Sequence, residues 1–320
     1  MTATIQVRRA KLDDTQAISA LFRARVSVWQ RMRTDGRAED VDYERLTLYE
    51  RWLHGTDSSS AWMSVETGAL LLSHLLRGFG LPLVAVVDGV VRAYAEAYPG
   101  SEPAPFGSHL HLAHLAVAPD GTRTLINALM DALRQEAEAL GCERLTVSVS
   151  GYDQDAVKFY SRYGMQPLKR VRRYTLPAAT GQSFYKVTDH RNPDPTQIDG
   201  WFMSLGRLES ARQHWSTFWP TTLDAVDEIA ARRTYRLRFN AAGQDSFLYA
   251  ESQLYDPRSA DLYCWSPKPL TPQFLTALRD WAHREKYRTL VLVVPEELIT
   301  LLGAEAESTP YQQEILALEL

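Results

Sequence analysis

Two stretches of this chain read as copies of one another. "TRTLINALMDALRQE" (122–136) aligns without gaps on "TPQFLTALRDWAHRE" (271–285), pairing Thr122 with Thr271, Leu125 with Phe274, Ala128 with Ala277, Leu129 with Leu278, Asp131 with Asp280 and Glu136 with Glu285. In both places an Arg then precedes an apolar strand, "RLTVSV" and "RTLVLVV", and a helix ending in Gly and a further strand follow. Helices resemble one another by composition alone, so the shared order of elements carries the inference of duplication. The period is far longer than a solenoid unit, so it is whole domains that repeat. With 320 residues, 45% of them hydrophobic, the chain can build two cores. "LPAATGQ" and "DHRNPDPTQ" supply the Pro, Gly and polar residues of a junction, which places the boundary near Ala179 and gives domains 1–179 and 180–320.

The first half alternates strands and helices. "IQVRRA" predicts a short strand and "DDTQAISALFRARVSVWQRM" a helix, with Ile18, Leu21, Phe22, Val26, Trp29 and Met32 on one face and Asp13 and Gln16 spaced as a capping box. A second helical region is expected from about Tyr43 to Leu76. "PLVAVVDGVVRAYAEAY" predicts a hairpin, because Asp88-Gly89 suits a tight turn with positive backbone angles. "SHLHLAHLAVAP" follows as a strand, then a long helix, the strand "RLTVSVSG", the helix "DQDAVKFYSRYG" with Gly164 as C-cap, and the strand "MQPLKRVRRYTLP".

A formal charge of −4, from 35 Lys+Arg and 39 Asp+Glu, gives no global reason to expect nucleic acid or an anionic membrane as partner. Cys142 and Cys264 lie far apart with no metal-ligand spacing, so neither a disulfide framework nor a zinc site is expected, which fits a reducing cytoplasm. The most apolar window, "GALLLSHLLRGFGLPLVAVV", is interrupted by His74, Arg77, Gly78, Gly80 and Pro82; no membrane segment is expected. "LKRVRRY" reads as a solvated basic strand and "WFMSLGRLESARQHWSTFW" as packing built on Trp201, Trp215 and Trp219.

"LAVAPDGTRTLINALMDAL" has the layout of a strand, a turn and a helix start that cradles phosphate, yet it lacks the glycines of such loops. Thr122, Arg123 and Thr124 offer hydroxyls and a cation there. Phosphate binding and a merely solvated helix start both remain open readings. His109 and His111 share one face of their strand, but no third ligand is evident, so polar residues on a half-exposed strand are expected in place of a metal site.

A strand ending "LAVAP", a phosphate-type loop, a long helix, a strand and then "DQDAVKFYSRYGMQP" together resemble the Gcn5-related N-acetyltransferase (GNAT) family over roughly residues 4–176. Ala156, Phe159, Tyr160 and Gly164 match that family's N-x-x-A-x-x-F-Y-x-x-x-G-F segment, with Asp153 in the place of its Asn and Met165 in the place of its last Phe. In its Q/R-x-x-G-x-G/A loop, however, the Arg or Gln falls on Thr122 and the small residues on Leu125 and Asn127, where Leu125 would narrow the approach to a pyrophosphate.

The resemblance implies an α/β (α+β) fold of two tandem GNAT-like domains, each a mixed, mostly antiparallel splayed sheet flanked by helices. It implies acetyl-CoA as co-substrate, no metal, and direct transfer of an acetyl or other acyl group to an amine of a small molecule or peptide. Leu115, Ala116, Val117, Thr122, Arg123, Thr124, Leu125, Asn127, Asp153 and Phe159 would contact the cofactor, which enters between the two splayed strands by its pantetheine arm. His111 takes the place of the family's general base and His114 competes with it from the opposite face; Tyr160 takes that of the acid which protonates the departing thiolate. An oxyanion would form beside a backbone N–H near Val117. In the second half "WSPKPLTPQFL" stands in place of the loop, and Pro267, Pro269 and Pro272 lack the N–H groups an anion nest requires. That half is expected to be degenerate, in a monomer with pseudo-dimeric domains or a homodimer. The competing reading is a catalytically inactive ligand-binding or protein-interaction module.

Overall fold

The computed structural model describes residues 4–33, 35–55 and 57–320. The chain opens with β1 (Ile5–Arg9) and α1 (Thr15–Arg23). Helix α1 buries Ile18, Leu21 and Phe22 as its periodicity predicts, but ends at Arg23, well short of Met32. The reason is tertiary: β2 (Gln30–Met32) pairs with β3 (Ala38–Asp40), and Trp29 packs its ring on Tyr43 and His54, so the helical pattern beyond Arg23 is overridden. It is Asp14, not Asp13, whose carboxylate closes the turn, accepting the Lys11 N–H. The expected helical region to Leu76 is broken into 3-10 turns, the short α2 (Leu48–Leu53) and α3 (Val65–His74), each helix with its own cap, Thr47 for the first and Ser64 for the second.

Strands β4 (Leu81–Val87) and β5 (Val90–Glu102) form the expected hairpin, with Asp88 and Gly89 at φ 49° and 81°. Then come β6 (Gly107–Val117), α4 (Arg123–Ala139), β7 (Arg144–Ser150), α5 (Gln154–Ser161) and β8 (Gln166–Pro177). Gly164 ends the α5 region at φ 89°. The remainder comprises β9 (Tyr185–Asp189), β10 (Phe202–Leu205), α6 (Ala211–Phe218), α7 (Asp227–Ala230), β11 (Thr234–Ala241), β12 (Gln244–Ser252), β13 (Ser259–Ser266), α8 (Pro272–Arg284), β14 (Thr289–Pro295), α9 (Ile299–Leu302) and β15 (Glu307–Glu319). The order β5-β6-α4-β7-α5-β8 recurs as β12-β13-α8-β14-α9-β15, so the repeat read in two helices extends over whole sets of elements.

Two compact units divide the chain, and neither ends at Ala179. One takes Met1–Tyr98, Leu112–Leu140 and Thr221–Ala231, and the other Pro99–His111, Gly141–Pro220 and Arg232–Leu320. In the first unit β1 pairs antiparallel with β4 and β4 with β5, over a core of Ile18, Phe22, Trp62, Leu72, Val84 and Tyr94. A carboxylate sits inside it: Glu96, fully buried, accepts from Trp62 Nε1 at 3.0 Å, Tyr94 Oη at 2.8 Å and Tyr98 Oη at 2.6 Å. Three donors offset the desolvation of that charge.

The second unit holds the strand order β7-β15-β8-β14-β13-β12-β11-β9. Its two repeats trade their closing strands. β15 ends the second repeat yet pairs antiparallel with β7 of the first, and β8 ends the first yet pairs antiparallel with β14 of the second. The chain's last strand is therefore central, which is why compactness and sequence order divide the molecule differently. Helix α8 buries Phe274, Leu278 and Trp281 on this sheet. Trp215, Trp219 and Trp265 form a second cluster, in which Trp215 and Trp219 stack at 3.9 Å and each indole N–H donates to a backbone carbonyl. The basic residues of β8 are engaged within this unit: Lys169 pairs with Glu297, Arg170 with Glu314, Arg172 with Glu296, and Arg173 lies over the Tyr311 ring. No helix among the described residues is long and apolar enough to cross a membrane.

Candidate functional site

In the first unit, β6 runs out through Leu115, Ala116 and Val117 into a tight turn. Gly121 donates to the Ala118 carbonyl at 2.7 Å, and a Cβ on Gly121 would fall 2.3 Å from Val117 Cγ1, so the turn admits no side chain there. Ala118 donates to the Arg92 carbonyl, and Arg92 pairs with Asp120, fixing both ends of the loop. Helix α4 then begins with Thr122 at its N-cap in extended conformation, but the Thr122 side chain makes no cap bond. Thr122, Arg123, Thr124 and Asn127 are exposed, whereas Leu125 is buried and turns into the core beside the chain of Leu129, Met130 and Leu133. The expected narrowing by Leu125 therefore does not arise. The helix start presents hydroxyls, a guanidinium and the positive end of a five-turn helix on its outer side.

The equivalent place in the second repeat, which lies in the second unit, is built otherwise. Strands β13 and β14 run parallel only over Ser259–Leu262 and Thr289–Leu292 and then separate. The gap is filled by the chain itself. β10 pairs antiparallel with β13, Phe202 opposite Ser266, Met203 opposite Trp265 and Leu205 opposite Cys264, and Gly206 N–H donates to the Val293 carbonyl of β14 at 2.8 Å. At the alignment offset that places Thr122 on Thr271, Cys264, Trp265 and Ser266 are the counterparts of Leu115, Ala116 and Val117. Gly206, at φ 83°, sits where the strands part; a Cβ there would lie 2.6 Å from the Leu262 carbonyl oxygen and 2.4 Å from the Tyr263 ring. Thr271 caps α8 by accepting the Phe274 N–H at 3.2 Å, and Pro272 follows it. A cavity of ≈ 180 Å³ remains alongside, lined by Phe202, Met203, Pro269, Pro295 and Leu298 with Arg207 and Glu102.

The second unit also holds His111 and α5. Asp153 is exposed and caps α5, its Oδ1 accepting the Ala156 N–H at 2.9 Å. Phe159 and Tyr160 are half-buried and set edge to face at 4.9 Å, with Tyr163 5.2 Å from Phe159, so this aromatic group stands outside the closed core. His111 is buried and bonded at both ring nitrogens, Nδ1 to Thr146 Oγ1 at 2.9 Å and Nε2 to Glu209 Oε2 at 2.8 Å. Burial pushes its pKa down to about 3, so the ring is neutral near pH 7. The partners fix the tautomer: the Thr146 hydroxyl donates to Nδ1 and Nε2–H donates to the Glu209 carboxylate. His109 is buried as well, with Nδ1 on the Gly107 carbonyl at 3.0 Å, and burial lowers its pKa to about 4. Among the described residues no three metal-ligating side chains converge. His114, in the first unit, places its ring against Phe22 at 5.4 Å.

Glu209 and Thr146 were invisible to sequence reasoning. Thr146 occupies an ordinary alternating position of a strand, and Glu209 lies 98 residues from His111 within a stretch marked only by its tryptophans. The loop that carries Glu209 is rigidly wired. Arg207 is buried, pairs with Glu102, lies 3.9 Å over the Phe106 ring and donates to the Glu209 carbonyl; burial lowers its pKa to about 9. The Leu208 and Glu209 N–H groups both donate to His214 Nε2, at 3.2 and 3.1 Å.

In chain order the strand β6, its short loop and the helix start without a side-chain cap are followed by β7 and the aromatic helix α5, the succession the GNAT resemblance predicts. Residues 41–165 match the model of the acetyltransferase (GNAT) family. No curated protein matches the sequence. In fold the chain is similar to a conserved protein of unknown function from Enterococcus faecalis V583 (11% identity, TM-score 0.58, covering 99% of this chain and 72% of that one). It is similar also to a GCN5-related N-acetyltransferase from Kribbella flavida (12%, TM-score 0.55, 100% and 72%) and to one from Anabaena variabilis ATCC 29413 (11%, TM-score 0.56, 98% and 72%).

Proposed function

We propose that this protein is an N-acyltransferase that moves an acetyl group from acetyl-CoA directly to an amine of a small molecule or peptide, and that its first repeat alone does so. The start of α4 carries this reading, because Thr122 leaves the first-turn N–H groups without a side-chain cap directly after Leu115-Ala116-Val117, in the segment that matches the family. A diphosphate would meet the helix's positive end there, together with Arg123 and the Thr122 and Thr124 hydroxyls. Leu125 is buried and leaves the outer side of that helix start to Thr122, Arg123 and Thr124.

The chemistry follows from where charge develops. The amine attacks the thioester carbonyl, the oxyanion is met by a backbone N–H near Val117, and Tyr160 protonates the departing thiolate. Cofactor binding and chemistry thereby rest on different residues. Calorimetric titration of the full chain with acetyl-CoA and with desulfo-CoA tests this reading, the expected outcome being one saturable site per chain. Two sites would overturn the assignment to the first repeat. No saturable binding at millimolar acetyl-CoA would leave an inactive ligand-binding or interaction module.

A further inference from the structure

We infer that the cavity beside β10 is a binding site for a small aromatic carboxylate, its ring held between Phe202 and walls of proline and its charge on Lys169. This goes beyond the transferase reading and does not depend on it. Every residue that lines the cavity belongs to the second compact unit.

The walls come largely from the ends of elements. Pro103 and Pro105 follow β5, Pro269 precedes α8, and Pro295 closes β14. Proline fixes its own φ and carries no N–H, so these four positions offer stiff apolar surface with no donor left unpaired. Phe202 is half-buried and Met203 buried, both on β10, the strand that fills the rest of the groove. The remaining ≈ 180 Å³ suits one six-membered ring with a short substituent, since an apolar cavity of about 150 Å³ takes up benzene. Walls that are already rigid lose little freedom when such a ring enters.

Two ion pairs border this space, and they are unequal. Arg207 and Glu102 are each 3% exposed, and Arg207 also lies over the Phe106 ring and donates to the Glu209 carbonyl, so this pair is closed within the fold. Lys169 of β8 is 19% exposed, but its partner Glu297 is 55% exposed. Burial pushes the Lys169 pKa down even so: a carboxylate standing in solvent does not offset the hydration the ammonium has lost. An ion pair with so exposed a partner is worth little. A carboxylate entering from the cavity would meet the same ammonium away from water, where the attraction is stronger. Glu102 and Glu297 already face cations, so a cationic ligand gains no equivalent contact.

Calorimetric titration of the full chain with phenylacetate, in the absence of acetyl-CoA, tests the assignment; one saturable site per chain is expected, in the millimolar range or tighter. Acetate has the charge without the ring and phenylacetamide the ring without the charge, and each should bind about 10-fold more weakly or worse. Lys169→Gln should weaken phenylacetate about 10-fold and leave phenylacetamide unchanged. Glu297→Gln removes the competing carboxylate and should tighten phenylacetate about 2- to 5-fold. Ala104→Trp, at an exposed residue of the lining, should close the cavity to both ligands. Should that variant lose melting temperature, the surface change Glu297→Gln decides alone. Equal binding of phenylacetamide, weaker binding in Glu297→Gln, undiminished binding in a folded Ala104→Trp, or no saturable binding by the wild type each overturns the site. None of these outcomes bears on the acetyl-CoA titration.

Discussion

The two repeats solve one local problem in opposite ways. In the first, Leu115, Ala116 and Val117 lead into a helix whose Thr122 makes no cap bond; in the second, Cys264, Trp265 and Ser266 are covered by β10, and Thr271 caps its helix in the ordinary manner. One copy leaves its helix start without a side-chain cap, and the other is capped and paired within the chain. In the second repeat a strand of the same chain, β10, takes up backbone hydrogen bonds of β13 at Cys264, Trp265 and Ser266. Gly206 makes this pairing possible, since only a residue without Cβ fits between the Leu262 carbonyl and the Tyr263 ring at a φ of 83°.

The largest expected effect comes from breaking that fit. Gly206→Val should cost about 3 kcal/mol or more of stability by urea unfolding, because it combines strain at positive φ with a collision against backbone. A near-native midpoint would show that the groove is only loosely filled. Acid should loosen the same region. His214 and His111, their pKa values lowered to about 3, and His109, lowered to about 4, stay neutral in the fold, whereas the unfolded chain protonates each near about 6.5. More protons are bound by the unfolded state in this window, so stability should fall as pH drops from about 6.5 toward about 4. Protonated His214 could no longer accept the Leu208 and Glu209 N–H groups. Hydrogen exchange at those two amides should accelerate first, and uniform exchange across the unit would contradict the assignment.

Smaller effects sharpen the contrast between the copies. Tyr160→Phe should lower kcat about 10- to 100-fold with little change in acetyl-CoA affinity, measured by steady-state kinetics beside calorimetry. Thr271→Ala should cost about 1 kcal/mol of stability and leave cofactor affinity unchanged, whereas Thr122→Ala should cost only a few tenths but weaken acetyl-CoA binding. Equal stability losses at the two threonines would erase the proposed division of labour.

Much of this was legible in local pattern. The Asp88-Gly89 turn, the Gly164 terminus, the buried Ile18, Leu21 and Phe22 of α1 and the repeat itself all follow from short-range chemistry, which sequence displays directly. The helical periodicity that runs on to Met32 and to Leu76 is overridden by pairing of Gln30–Met32 and by the packing of Trp62 and Trp29. "LKRVRRY" reads as a solvated strand because its partners Glu296, Glu297 and Glu314 lie beyond any local window.

Local pattern alone displays the GNAT resemblance of the first half and the repeated order of elements, because motif spacing acts within a few residues. Tertiary structure alone decided the exchange of β8 and β15, the filling of the second groove by β10, and the bond from His111 to Glu209. Each of these joins segments far apart in the chain by backbone pairing or by a single buried hydrogen bond, and such contacts are selected by the whole fold's packing, not by any pattern a short window of residues contains.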